Sequence, residues 1–303
     1  MVFVEKYKSW GRTYYRLVHS YRKGNKILQF KKQLGKELLP KKRLEQIKKD
    51  FLRKIKGDKY TYLSGKDIEK IENKKNEYNK EIKKLSKLEK EQRLKEFIIR
   101  FTYDSSKLSG VDVTLRQIYL ILKEGIIPQN IRNLRKVREL ENHEKGILAI
   151  SKYKGKLNNQ FMKRLHRILF LGVENEIAGK FRYELKRNVK IAGASYVPPK
   201  WQDLKKIMTN FFKWYESERK EMHPLELAAM VHLKIISMQP FGDGNSRLSR
   251  LLMNWILWKR NYPSVDIPIE DIENYYDVLD QYQIEGNEKP FIEYVKKWYL
   301  KNN

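Results

Sequence analysis

The chain has 303 residues, 41% of them hydrophobic, with 65 Lys/Arg against 37 Asp/Glu and no cysteine. That length and apolar share suffice for a main domain with a smaller appendage and exclude intrinsic disorder as the general state. Absent cysteine excludes disulfides, thiol catalysis and Cys-ligated zinc, and no run of about 18 apolar residues suggests a membrane span. Since the start "MVFVEKYKSWGRTYY" has no apolar signal-peptide core, the expected location is cytoplasmic.

In chain order, "TYYRLVHSYR" (Thr13 to Arg22) and "KILQFKKQLG" (Lys26 to Gly35) are rich in β-branched and aromatic residues, and Gly24-Asn25 between them signals a hairpin turn. A small sheet of two or three strands follows from this. Helical spacing returns in "LPKKRLEQIKKDFLRKI", and Ser64 to about Phe101 reads as one long charged amphipathic helix, with Ile68, Ile71, Tyr78, Ile82 and Leu85 on one stripe. The predicted organisation is a basic β-containing appendage (1–63), a linking helix (64–102) and a mostly α-helical core (103–303). Residues 1–100 hold 31 Lys/Arg against 13 Asp/Glu, so most of the net +28 is N-terminal. Such a field suits a solubilising surface, or attracts nucleic acid or an acidic partner.

Beyond residue 101 the pattern is helical, with stop signals at Gly125 and Gly172. "GKFRYELKRNVKIAGASYVPPK" interrupts it, and Val189-Lys190-Ile191 with Ser195-Tyr196-Val197 around Ala192-Gly193 predict a short β-hairpin. Pro224 then opens an apolar helix in "HPLELAAMVHLKIISM".

"QPFGDGNSRLSR", Gln239 to Arg250, joins that helix to the next. Gly242 and Gly244 permit left-handed or tight backbone, so the loop and the new helix start can present N–H groups as an anion hole. Arg247 and Arg250, three apart, leave one helix face and can clamp phosphate oxygens. Asp243 supplies a carboxylate of the kind a phosphate-bridging Mg²⁺ needs. Asn245 reads as an N-cap and a neutral donor to phosphate.

These residues resemble the Fic (Fido) family signature His-Pro-Phe-x-Asp/Glu-Gly-Asn-Gly-Arg-x-x-Arg, and "LHRILFLGV", "GKFR" and "NYPSVDIP" extend the resemblance over about residues 100 to 300. It implies a helical Fic-type bundle that uses ATP and Mg²⁺ to transfer AMP onto a Ser, Thr or Tyr hydroxyl of a protein. By position, Phe241 resembles the loop's apolar anchor and Asp243 the Mg²⁺ ligand. Gly244, Asn245 and Ser246 resemble the anion hole, and Arg247 and Arg250 the groups on the terminal phosphates. Val189, Ile191, Tyr196 and Val197 resemble the flap that holds a target by strand addition. Tyr276 and Gln283 resemble residues that contact the adenine, and a homodimer is among the implied assemblies.

Three positions depart from the pattern. Gln239 stands at the general-base His, Ser246 at the second signature Gly, and "SSKLSG" carries Ser105, Ser109 and Gly110 where the inhibitory motif has Ser, Glu and Gly/Asn. An amide cannot take a proton near neutral pH, so transfer is expected to fall roughly 10²- to 10⁴-fold while nucleotide binding survives. The alternatives are a nucleotide-binding pseudoenzyme that acts as a regulator, and a nucleic-acid-associated protein with a secondary Fic-type core. His232, two turns before Gln239, reads as a buried, hydrogen-bonded helix histidine rather than a substitute base, and His166 and His223 have no metal-ligand spacing with it.

Overall fold

A computed structural model describes residues 2–9, 12–23, 26–40, 43–45, 47–48, 51 and 62–303. The chain divides into two units, Met1–Asp67 and Ile68–Asn303.

The smaller unit is built on an antiparallel sheet in the order β1 (Val2–Ser9), β2 (Arg12–Lys23), β3 (Lys26–Gly35). The expected Gly24-Asn25 turn lies outside the described residues, although Lys23 and Lys26 on either side are paired. The register sets Phe3 opposite Val18 and Phe30 opposite His19, with one irregularity at Tyr15/Arg16. Alternation then sorts the side chains. Leu17 is fully buried and joins Val2, Val4 and Leu34 against Leu39, Leu44, Ile47 and Phe51. Of the helix expected over Leu39 to Ile55, residues 43–45, 47–48 and 51 are helical, Leu39 and Pro40 are not, and the others lie outside the described residues.

The larger unit is helical. Its elements are α1 (Gly65–Lys84, beginning at the unit boundary), α2 (Lys87–Lys107), α3 (Leu115–Leu122), α4 (Leu134–Lys152), α5 (Asn159–Phe170), the single turn α6 (Arg182–Leu185), α7 (Trp201–Glu218), α8 (Pro224–Met238), α9 (Asn245–Lys259), α10 (Ile272–Glu285) and α11 (Lys289–Asn302). The single long helix expected from Ser64 to Phe101 is two helices. Ser86 ends the continuity because its hydroxyl caps the Glu89 N–H while the Glu89 carboxylate accepts from the Ser86 N–H, at 3.3 and 2.7 Å. This reciprocal S-x-x-E cap satisfies donors that start a new helix.

Helix α8 is the centre: every residue but Pro224 and Lys234 is buried. Helix α9 packs along it, α4 lies against both α5 and α9, and α11 lies against α8. A satellite cluster of Val113, Ile118, Ile121, Ile131, Val137 and Leu140 fills the space under α3 and α4. No helix among the described residues is long and apolar enough to cross a membrane.

Leu251 on α9 is fully buried, and its Cδ1 would lie 3.1 Å from a Cβ placed on Gly146 of α4. Leu251→Ala should therefore open a cavity and cost about 2–5 kcal/mol. The check is denaturant unfolding followed by tryptophan fluorescence, since five of the six Trp residues lie in the larger unit.

Candidate functional site

Everything at the loop depends on how α8 stops. Its last carbonyls have no helical partner, and the chain must turn sharply to reach α9. Gln239 makes that turn in the left-handed region, at φ 46° and ψ 64°, a conformation uncommon for a residue with a side chain. Arg182, fully buried, holds it there. Its Nε donates to the Gln239 carbonyl at 2.5 Å, and its Nη2 donates to the Met238 and Pro199 carbonyls at 3.1 and 3.0 Å. The Arg182 N–H also donates to the Pro240 carbonyl at 2.9 Å, beside a Phe181–Phe241 bridge. A cation is well placed at the negative end of a helix. In the sequence, "GKFR" carries no signal for this role of its arginine.

Phe241 is fully buried, as an anchor should be. Its ring stacks on His166 at 3.9 Å and packs near Phe181 at 4.7 Å. His166 in turn fastens the loop backbone. The Gly179 N–H donates to its Nδ1 at 2.9 Å, so Nε2 carries the proton and donates to the Asp243 carbonyl at 3.0 Å. Burial between Phe170 and Phe241 pushes this imidazole down to about 4, which keeps it neutral. His232 is buried and hydrogen-bonded to the Tyr275 hydroxyl at 2.9 Å, as expected for a core histidine. Among the described residues, no group of three or more His, Cys, Asp or Glu could hold a metal ion.

Of the two loop glycines, only Gly244 uses its freedom. Its φ is +72°, and a Cβ there would fall 2.3 Å from a Phe170 ring carbon. Gly242 has no such φ, and its Cβ would meet only Ile177 at 3.8 Å. Gly244 is also the N-cap of α9, so the expectation that Asn245 caps the helix is corrected. The Asn245 side chain turns back onto the loop instead: Oδ1 accepts from the Phe241 N–H at 2.9 Å, and Nδ2 donates to the Phe241 carbonyl at 2.9 Å and to Gln239 Oε1 at 2.7 Å. Buried and triply bonded, it shapes the loop rather than offering a free donor. The Leu248 N–H is the first in α9 to reach a carbonyl, that of Gly244, which leaves the N–H groups of Asn245, Ser246 and Arg247 for an anion.

Gln239 makes two side-chain bonds. Its Nε2 donates to the Ile236 carbonyl at 2.7 Å while its Oε1 accepts from Asn245. The amide thus completes the turn.

The two arginines differ. Arg250 is fully buried, and it donates through Nε to Ser105 Oγ at 2.9 Å, through Nη2 to the Ser105 carbonyl at 2.7 Å and Ser109 Oγ at 2.8 Å, and through Nη1 to Ser246 Oγ at 2.5 Å. Ser109 therefore still touches this arginine, through a neutral hydroxyl, and Gly110 follows with φ +80°. Arg247 is nearly buried, 3.3 Å from Glu139 and 3.8 Å from Asp243, and lies over the Phe170 ring. Its Nε is buried and finds no acceptor among the described residues. Glu139, more than a hundred residues upstream, gave no sequence signal. Asp243 is exposed, with Oδ1 accepting from the Gly244 N–H at 2.6 Å and 63% of its side chain open.

The expected flap is present as a segment but not as a hairpin. Residues 187–200 form no strand, and Ala192-Gly193 make a turn in which the Ala194 N–H meets the Ile191 carbonyl at 3.3 Å. A lone two-stranded ribbon has too little to pack against to form a ladder. Val189 and Ile191 are half-buried, Val197 is exposed, and the Tyr196 hydroxyl donates to the Ser237 carbonyl of α8 at 3.1 Å. Tyr276 on α10 is 47% exposed, and its hydroxyl reaches the Leu108 carbonyl next to Ser109 at 3.3 Å. Gln283 lies half-buried two turns on. A cavity of about 970 Å³ in this unit lies elsewhere, lined by residues such as Tyr78, Phe97, Trp258 and Asp266 and by none of the loop residues.

Gly244→Ala should place a methyl group into Phe170 in a strained backbone and lower stability by about 2 kcal/mol or more. Gly242→Ala should change it by under about 0.5 kcal/mol, and thermal unfolding of the pair measures the difference.

Residues 156–257 match the model of the Fic/DOC family. Over 204 residues, 66% of this chain and 40% of the relative, the sequence is 32% identical to "Protein adenylyltransferase Fic" of Drosophila ananassae, and over 205 residues it is 33% identical to that of Culex quinquefasciatus, with the same shares. The chain thus spans about 40% of the length of these curated relatives. Among solved structures, a Fic domain containing signaling protein from Bacteroides thetaiotaomicron is similar at 26% identity and TM-score 0.67, covering 78% of this chain and 93% of that one. Fic-1 of C. elegans shares the fold at 22% identity and TM-score 0.66, over 78% and 69%. With loop, supporting helices and relatives in agreement, this chain carries a domain of the Fic/DOC family over residues 156–257.

Proposed function

We propose that the α8–α9 loop binds ATP with Mg²⁺ and that the protein is a Fic-type adenylyltransferase acting on a hydroxyl of another protein, with its transfer step damped by Gln239. The observation that carries this reading is the pair of buried arginines at a helix start with free N–H groups. No carboxylate pairs with Arg250 among the described residues, and Arg247 keeps an orphan Nε. A buried cation without an anion is costly, and a polyphosphate supplies the anion.

The loop's donor set fits Mg²⁺ brought by a nucleotide. Magnesium is typically held by one or two carboxylates together with phosphates and water, and Asp243 offers one exposed carboxylate with a free oxygen edge. Bound there, the ion would neutralise phosphate charge. Tyr276 and Gln283 border the adenine side in this reading. A target segment pairs with the backbone of residues 187–191, just before the Ala192-Gly193 turn, which demands little of its sequence.

Transfer joins the target's hydroxyl oxygen to the α-phosphorus and breaks the bond from that phosphorus to the pyrophosphate oxygen, so the hydroxyl proton must leave. Gln239 cannot accept it, and its amide is already bonded at both ends. The backbone suits a better residue, because the left-handed region favours His over Gln among side chains. The alternative of a nucleotide-binding pseudoenzyme rests on the same amide bonds: Gln239 is well accommodated as a structural part of the turn.

Intact-mass spectrometry after incubation with ATP and Mg²⁺ separates them. Gln239→His should accelerate gain of AMP roughly 10²- to 10⁴-fold over the parent chain. Asp243→Ala in that background should remove the Mg²⁺-dependent part. A variant that binds ATP yet gains no AMP, on itself or in a labelled lysate, would overturn the transferase reading in favour of the pseudoenzyme.

The pH profile is an independent check. A base must be deprotonated to work, so the Gln239→His rate should rise with pH through about 6.5 and then level. The parent chain has no such group at this position, and its residual rate should stay nearly flat from about pH 6 to 8. A matching rise in the parent chain would place the base elsewhere.

A further inference from the structure

The smaller unit carries half of the protein's net charge. Residues 1–67 hold 20 Lys/Arg against 6 Asp/Glu, +14 of the total +28. Its sheet buries one face against Leu39, Leu44, Ile47 and Phe51. The register assembles the other face from Phe3, Glu5 and Tyr7 of β1, Arg12, Tyr14, Arg16, Val18 and Ser20 of β2, and Gln29, Lys31 and Gln33 of β3.

That face is a connected polar surface around Val18, which is fully buried, and Phe3, which is exposed. The Tyr7 and Tyr14 rings stack at 5.8 Å, and the Arg16 guanidinium lies 4.3 Å over Tyr7 while pairing with Glu5. The Tyr7 hydroxyl donates to Gln33 Oε1 at 2.8 Å, and Gln29 Nε2 donates to Ser20 Oγ at 3.1 Å. Arg12, Gln29, Lys31 and Gln33 are exposed, and Glu5 is the face's one carboxylate among the described residues.

We propose that this face docks double-stranded DNA by lying in its major groove. The groove, about 12 Å wide, admits a two-stranded ribbon, and β2 with β3, their axes about 4.8 Å apart, form one, with β1 at its edge. Strands are one of the elements that read this groove. The side chains match what it presents. Arg12 and Lys31 suit phosphates or guanine, and the Gln29 and Gln33 amides suit the paired donor and acceptor of adenine. The surrounding positive field supplies affinity independent of sequence. Single strands need open aromatic platforms for successive bases, and here Tyr7 is covered by Arg16 and stacked on Tyr14, leaving Phe3 as the exposed ring. The geometry therefore favours a duplex.

Fluorescence anisotropy of the full chain with a labelled duplex of about 20 base pairs, titrated over about 50 to 200 mM salt, tests this. Arg12→Glu with Lys31→Glu should weaken binding at least about tenfold and flatten the slope of log affinity against log salt by about 1.8. Lys205→Glu with Lys206→Glu, an identical charge change on exposed positions of α7, should leave the affinity within about threefold. If charge reversal unfolds the sheet by circular dichroism, Arg12→Gln with Lys31→Gln replaces it and should weaken binding in the same direction. Equal loss in the α7 control, no duplex binding at about 50 mM salt, or tighter binding of a single strand of that length or of polyglutamate would overturn the proposal.

Discussion

A buried guanidinium with no carboxylate beside it sets the geometry of the whole site. Arg182 sits among the carbonyls of Met238, Gln239 and Pro199, where the unpaired end of α8 concentrates negative potential. Burial pushes its pKa down, yet an arginine stays charged at any ordinary pH. The hydrogen bonds offset the desolvation, and they do so only if Gln239 remains left-handed and residues 187–200 stay close. One side chain thus fixes a strained turn and the root of the flap together. The strain persists because the surroundings overdetermine it.

The loop's short-range logic was legible, and its long-range logic was not. That a glycine of this loop is left-handed was legible because the turn requirement is local, whereas Phe241 as an anchor followed only from the resemblance to the family signature. Gly242 and Gly244 look alike in sequence, however, and only the position of Phe170, in another helix, separates them. Asn245 was misread for the same reason. As an Asn before a helix it suits an N-cap, but Phe241 and Gln239 fold back within reach and take its amide. His166 and Glu139 reach the loop from α5 and α4 across separations that no spacing rule spans. The break at Ser86 was readable from S-x-x-E and was masked by the unbroken apolar stripe on either side. At the flap, β-branched composition was outweighed by the lack of a surface to pack on.

Arg250 shows what a lost carboxylate changes. Where the resemblance places an acid, Ser109 Oγ, Ser105 Oγ and the Ser105 carbonyl are acceptors, and Ser246 Oγ is a fourth. Neutral oxygens hold the guanidinium, and no acid among the described residues forms an ion pair with it. A neutral acceptor holds a cation less firmly than a carboxylate does, so an arriving phosphate has less to displace and more field to gain. Restraint and attraction therefore move in opposite directions at this one residue.

Binding and chemistry consequently rest on different parts of the site. In the proposed function the phosphate groups would face backbone N–H donors, Arg247 and Arg250, none of which depends on the side chain at 239, while proton removal would depend on that side chain. The backbone there is held by Arg182 through the carbonyl of residue 239, which every amino acid possesses. The turn can thus keep its shape while the side chain varies, which lets a site of this construction lose its base and keep its nucleotide.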